Sequence, residues 1–205
     1  MIKMQIVIAT ENLHKLNELQ AILPSSFPDG SSITYTGMQS FSLTLPPETG
    51  TSLQENAKLK AVYVARQTGL PAISDDTGLE VDFLNGAPGI YTARYAGEHG
   101  NAQANNQKLL AALKDVPMPQ RTARFRTVAC LAYPNGKTVL FEGTAEGHIA
   151  QSYSGKNGFG YDPIFIVTAT NKTFAQMSPE EKNALSHRAR AFKKLAQYVK
   201  ENPTF

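Results

Sequence analysis

Two adjacent carboxylates, Asp75 and Asp76, stand in an otherwise apolar stretch, "ISDDTGLEV", and are followed by a hydroxyl, Thr77, and by Gly78. Neighbouring unpaired carboxylates repel, and burial raises that cost. A divalent cation relieves it, and Mg2+ favours one or two carboxylates together with phosphate oxygens and water. "DDTG" also reads as an Asx-type turn, and on this stretch alone both readings stand. Glu48, in "PPETG", is a third acid beside a turn. Glu55 has a structural explanation, because Ser52 and Glu55 have the spacing of a capping box.

Three other stretches carry polar chemistry. "TENLHK" (Thr10, Glu11, Asn12, Leu13, His14, Lys15) lies between an apolar strand pattern and a helix pattern. The N–H groups of a helix N-terminus attract anions, so the segment reads either as a phosphate cradle or as a capping loop with a solvated lysine. "GKNGFGYD" fits neither a Walker A nor a Rossmann spacing. It reads as a long hairpin loop or as a glycine-rich loop that closes Phe159 over a planar ring. "SHRARAFKK" places His187 and Arg188 at a helix start, where both can donate hydrogen bonds; a solvated basic face is the plainer reading.

The elements that must position these residues follow from periodicity. "QIVIA" (Gln5 to Ala9) reads as a buried strand, with Thr10 capping a helix that carries Leu16, Leu19 and Leu23. "PSSFPDGSS" reads as a turn-rich connection. Ser52 opens a second helix with Leu53, Ala57, Ala61, Val64 and Ala65 on one face, ended by Gly69 and Pro71. Asn56 and Lys60, four apart, share another face. A short strand over Ala72 to Ser74 is expected, then the "DDTG" turn, then "LEVDFL" with Leu79, Val81 and Phe83 inward. "NGAPGIYTARYAG" reads as a loop and "NAQANNQKLLAALKDV" as a third helix. "TARFRTVACLAY" and "KTVLFEG" form a hairpin over "PNG", with further strands at "TAEGHIA" and "IFIV". Ser178, Pro179 and Glu181 mark a last helix, restarted at Ser186. Alternating helices and strands followed by clustered strands predict an α/β domain with a mixed sheet.

Composition narrows the function classes. The 205 residues are 41% hydrophobic and 18% charged, ordinary for a globular chain. Twenty basic against 17 acidic residues leave a net charge of +3, too mild to argue for nucleic-acid binding. A single cysteine, Cys130, excludes an intramolecular disulfide and a cysteine-cluster metal site; its apolar surroundings fit a buried small side chain better than a nucleophile. No signal peptide or membrane-length apolar run occurs, so a cytoplasmic protein is expected.

Taken together, "ATENLHK", "ETGTSLQENAKLKA", "ISDDTGLEVDFLNGAPGIYTARYAG", "GFGYDPIF" and "LSHRARAF" resemble the inosine triphosphate pyrophosphatase family, the Ham1-like or RdgB-type non-canonical purine nucleotide pyrophosphatases. The motifs occur in family order from Ile6 to Leu195. Each is weak alone, and their joint presence is specific. The resemblance implies one nucleotide pyrophosphatase domain over 1–205, an elongated two-lobed α/β fold around a long mixed sheet with a central substrate cleft, and a homodimer. It implies hydrolysis of ITP, dITP and XTP to the monophosphate and pyrophosphate, keeping these nucleotides out of DNA and RNA, with Mg2+ as cofactor and Mn2+ as the alternative ion.

Residue by residue, the resemblance implies that Thr10, Asn12 and Lys15, within the segment 10–15, bind phosphate. Glu48 and Asp76 match metal-associated acids, Asp76 also matches the general base, Asp75 is its neighbour, and Lys60 is a further active-site lysine. Thr77 stands where the family usually has serine, and His14 where it often has a small residue. Phe159, Gly160, Tyr161 and Asp162 match a base-binding loop, and Lys182, His187 and Arg188 match the remaining nucleotide contacts. Donors such as His187 and Arg188 favour a 6-keto purine and leave adenine mismatched. The rival readings are a pyrophosphatase for pyrimidine or other modified nucleotides, and a non-catalytic nucleotide-binding protein; neither a nucleic-acid nor a membrane partner is expected.

Overall fold

The computed structural model describes residues 3–26, 30 and 32–202. Part of the Pro24 to Ser32 connection lies outside the described residues. Strand β1 (Lys3–Ile8) is followed by helix α1 (Leu13–Ile22) and strand β2 (Ser32–Gly37). Helix α2 (Leu53–Thr68) leads into strand β3 (Ala72–Val81) and the two-residue strand β4 (Pro88–Gly89). Helix α3 (Ala102–Ala112) precedes the long strands β5 (Thr122–Ala132) and β6 (Thr138–Ile149). Short strands β7 (Phe165–Val167) and β8 (Lys172–Thr173) and helices α4 (Pro179–Leu185) and α5 (His187–Glu201) complete the chain.

The strands form a mixed sheet in the order β2-β1-β3-β5-β6-β7-β8, with β4 on β3. Strand β1 runs parallel to both β2 and β3, while β4 is antiparallel to β3, β7 to β6 and β8 to β7. The expected mixed α/β architecture is therefore observed, and the strands foreseen at "KTVLFEG" and "TAEGHIA" are one continuous β6.

The chain divides into two compact units. The first comprises Met1–Asp76, Thr127–Gly143 and Arg188–Phe205, and the second Thr77–Arg126 and Thr144–His187. Each has its own apolar core. In the first, Ile6, Ile8 and Ile73 pack with Leu19 of α1 and with Phe192 and Leu195 of α5. In the second, Leu79 and Val81 pack with Leu109 of α3, Phe125, Phe165 and Phe174.

Three expectations are corrected. "DDTG" is not a turn: β3 runs without a break from Ala72 to Val81, and Asp75, Asp76 and Gly78 lie within it. Hydrogen bonding of β3 to its sheet neighbours outweighs the turn propensity of Asp and Gly, as tertiary context commonly does for strands. Phe83 does not face inward, because β3 ends at Val81 and residues Asp82–Leu84 form a 3-10 turn that leaves Phe83 half exposed. The N-cap of α1 is Asn12 rather than Thr10: its Oδ1 accepts from the amides of His14 and Lys15, and Thr10 Oγ1 accepts from the amide of Asn12. Ser52 caps α2 as expected, accepting from the amide of Glu55, and Gly69 ends that helix at φ +68°. Glu55 reaches the amide and hydroxyl of Thr51. Ser178 and Glu181 form the predicted capping box of α4, and the helix breaks at Ser186 before α5.

Candidate active site

The first unit gathers its polar residues at the end of its stretch of β3. Asp75 and Asp76 are both buried there. Successive strand residues point to opposite faces, so the two acids meet different neighbours. Asp75 Oδ2 accepts from Lys15 Nζ of α1 at 3.1 Å, and from Arg188 Nε and Nη2 of α5 at 3.3 and 3.2 Å. The same guanidinium donates to Glu18 Oε2 at 2.5 Å through Nη1. Asp76 faces α2: its Oδ2 accepts from Asn56 Nδ2 at 3.1 Å, and its Oδ1 lies 3.5 Å from Lys60 Nζ. Lys60 also donates to Glu48 Oε1 at 2.6 Å.

These surroundings drive the two acids apart. Burial alone would raise the pKa of Asp75, but Lys15, Arg188 and Lys60 outweigh it and hold the carboxyl well below the usual carboxylate range. For Asp76 burial prevails over Lys60 and Lys15, and its pKa is raised. Burial would lower Lys60, yet Asp76 and Glu48 reverse the sign and keep it charged. Lys15 is lowered by burial despite Asp75, because Arg188 and Lys60 oppose it. The Lys15–Asp75 pair is thus asymmetric: the acid has several cations, whereas the lysine shares one carboxylate with an arginine. Adjacent acids with divergent environments are the pattern by which sites divide acid and base roles.

In "TENLHK", residues 11–14 are more exposed than Lys15. Glu11 Oε1 accepts from the amide of Leu45, and the carbonyl of buried Thr10 accepts from Gln39 Nε2. Leu13 is 65% exposed, and Asn12 and His14 are exposed as well. Asn12 satisfies the amides of His14 and Lys15, so the positive charge this segment contributes is that of the Lys15 ammonium. Among the described residues no three His, Cys, Asp or Glu side chains form a metal cage. Glu48 and Asp76, both against Lys60, instead supply the two hard oxygen donors that suit a cation completed by phosphate and water.

The second unit gathers rings. Asp162 Oδ2 accepts from the amide of Phe159 at 2.8 Å and from Lys182 Nζ of α4 at 2.7 Å. A Cβ on Gly158, which has φ +76°, would overlap the Asp162 carboxylate. Lys182 Nζ lies 4.6 Å from the ring centroid of Phe159 and 5.7 Å from that of Phe174. His187 stacks on Phe125, 4.5 Å between centroids and 15° between planes. Asn106 of α3 donates to the carbonyl of Gly160 at 2.9 Å, and Tyr161 donates its hydroxyl to the carbonyl of Thr92 at 3.0 Å. Half-buried Thr77 opens this unit's stretch of β3.

The Ham1 family profile matches residues 6–198. The chain belongs to the Ham1 family. It is 50% identical to a dITP/XTP pyrophosphatase of Elusimicrobium minutum over 198 residues, covering 96% of this chain and 100% of the relative. It is 52% identical to a dITP/XTP pyrophosphatase of Pseudomonas syringae over 195 residues, covering 94% and 95%. A HAM1 protein from Coxiella burnetii has the same fold at TM-score 0.86 and 40% identity, over 97% of this chain and 99% of that one. The Staphylococcus aureus Ham1 protein matches at TM-score 0.83 and 41% identity, over the same shares.

Within this Ham1 chain the first unit brings together Lys15, Glu48, Lys60, Asp75, Asp76 and Arg188, and the second Phe159, Gly160, Tyr161, Asp162, Lys182 and His187. Sequence reasoning missed Glu18, whose only signal is its place one turn after Lys15. It also missed the destination of Asn56, whose signal was the shared face with Lys60. Asn106, Thr92, Phe125 and Phe174 carried no local sign of contact with the loop residues. Among the described residues no helix is long and apolar enough to cross a membrane.

Proposed function

We propose that the chain is a nucleoside triphosphate pyrophosphohydrolase that cleaves ITP, dITP and XTP between the α and β phosphates. Water enters, the anhydride breaks, and a monophosphate and pyrophosphate leave. The observation that carries this reading is the pair Asp75 and Asp76, adjacent in sequence yet facing different partners, two lysines and an arginine between them, with their carboxyl pKa values pushed in opposite directions. The 43–52% identity to proteins named dITP/XTP pyrophosphatase supports the substrate class.

The roles follow from the geometry. Asp75, clamped by Lys15 and Arg188, stays ionised and fixes both cations. Lys15 and Lys60 are the charges assigned to the polyphosphate, where fixed cations offset charge that develops on the leaving pyrophosphate. Asp76, the more basic acid, is assigned the water proton. Glu48 and Asp76 would hold Mg2+, which supplies charge neutralisation and a more acidic water. Phe159 offers a ring face for the base, and His187 a donor suited to a 6-keto purine. A cytoplasmic homodimer is part of the same proposal and rests on family resemblance.

Product analysis tests the reaction. Incubation of ITP with the protein and Mg2+ is expected to give IMP and pyrophosphate in equal amounts. IDP and orthophosphate as the products would overturn the assignment.

A further inference from the structure

The buried face of α2 carries two polar side chains one turn apart, Asn56 and Lys60. Lys60 already has an assigned role. Asn56, 1% exposed, uses both ends of its amide. Its Oδ1 accepts from the backbone amide of Gly50 at 2.8 Å, and its Nδ2 donates to Asp76 Oδ2 at 3.1 Å. A backbone N–H can only donate, so the oxygen end of the side chain belongs to Gly50 and the nitrogen end to Asp76. A Cβ on Gly50 would lie 2.6 Å from Asn56 Oδ1 and 2.7 Å from Glu55 Cβ, so the loop approaches α2 where no side chain fits. Gly50 stands two residues after Glu48. One amide therefore spans the loop that carries Glu48 and the strand that carries Asp76.

We infer that Asn56 is a positioning residue: it fixes the plane of the Asp76 carboxylate and ties to it the loop bearing Glu48. The inference rests on the reading of Asp76 as the reactive acid. The residue type suits the task. A neutral donor holds a carboxylate without adding charge to a cluster crowded with it. An aspartate here would oppose Asp76, and an apolar residue would strand a buried carboxylate and a part-buried amide.

Asn56→Asp and Asn56→Ala separate the two arms. The first keeps an acceptor for Gly50 and loses the donor to Asp76; the second loses both. Partners of this kind typically change activity by about 10–100-fold when removed, so kcat for ITP is expected to fall by that factor in both variants. The KM for ITP is expected to stay within about threefold, the signature of a group that acts on chemistry rather than on substrate binding. NMR-detected exchange of the Gly50 amide provides a readout independent of turnover: it accelerates in Asn56→Ala and remains slow in Asn56→Asp. Asp76→Asn is measured alongside. If Asp76→Asn turns over normally, the reading of Asp76 is wrong and the inference falls with it. If Asp76→Asn is inactive while Asn56→Asp keeps kcat within about twofold of the parent, the positioning role alone is overturned.

Discussion

Each unit buries a carboxylate–cation contact, and the two contacts are built for different purposes. In the first unit four carboxylates (Glu18, Glu48, Asp75, Asp76) meet three cations (Lys15, Lys60, Arg188) through shared partners, so four minus three leaves one negative charge. In the second, Asp162 and Lys182 form one pair among Phe159, Phe174, Phe125 and His187, and their charges cancel. The negative charge left over in the first arrangement is of the sign that a cation would balance. The second spends its pair on shape: Asp162 holds the Phe159 amide, and Lys182 lies close to two ring faces. Burial of charge is costly in both. The difference is one of composition: the first unit concentrates charge and the second aromatic rings, and the proposed division of labour between phosphates and base rests on it.

The largest effect should come from the acid set apart by its surroundings. Asp76→Asn is expected to lower kcat for every accepted nucleotide by about 10²–10⁴-fold, the usual worth of a positioned acid–base group. Steady-state pyrophosphate release measures this, and a loss confined to one base would break the division of labour.

Stability sharpens the comparison next. Removing one member of a buried pair costs about 3–5 kcal/mol, because an uncompensated charge remains. Lys182→Met and Arg188→Met should both lose stability on that scale in denaturant titrations. The double variant Asp162→Asn, Lys182→Met should recover much of the loss, since its pair is self-contained. Asp75→Asn, Arg188→Met should not, because Glu18 and Lys15 each lose a partner. Equal recovery in both doubles would show the two clusters to be alike.

Phe159→Ala is expected to weaken nucleotide binding by about 1–3 kcal/mol, the worth of base–aromatic stacking. It should appear in KM for ITP with kcat nearly kept. A kcat loss with unchanged KM would place Phe159 with the chemistry instead. The smallest effect is at Cys130, fully buried with its thiol pushed up to about 12. It should resist thiol reagents in the native protein and react on unfolding, since the thiolate is the reactive form.

Much of this was legible in the sequence where the signal is local. Periodicity and caps located α2, α4 and α5, because Ser52, Gly69, Ser178 and Ser186 act on the backbone beside them. "DDTG" misled because its propensities favour a turn, while its neighbours in the sheet come from distant parts of the chain. Phe83 misled for a related reason: alternation was extended past the point where β3 stops pairing. The site residues were legible as a set of motifs. Their partners were not, since Glu18 meets Arg188 across 170 positions and Asn106 meets Gly160 across 54.

We propose that this Ham1 chain hydrolyses ITP and XTP in preference to ATP and releases pyrophosphate with a divalent cation. The most direct measurement is pyrophosphate release from ITP, XTP, GTP and ATP, compared as kcat/KM with Mg2+ and with the ion chelated. Release from ITP and XTP is expected at least about 10²-fold above ATP, a margin that matched and stranded hydrogen-bonding groups readily supply, with loss of turnover on chelation. Equal rates for ATP and ITP, or full activity without a divalent cation, would contradict it.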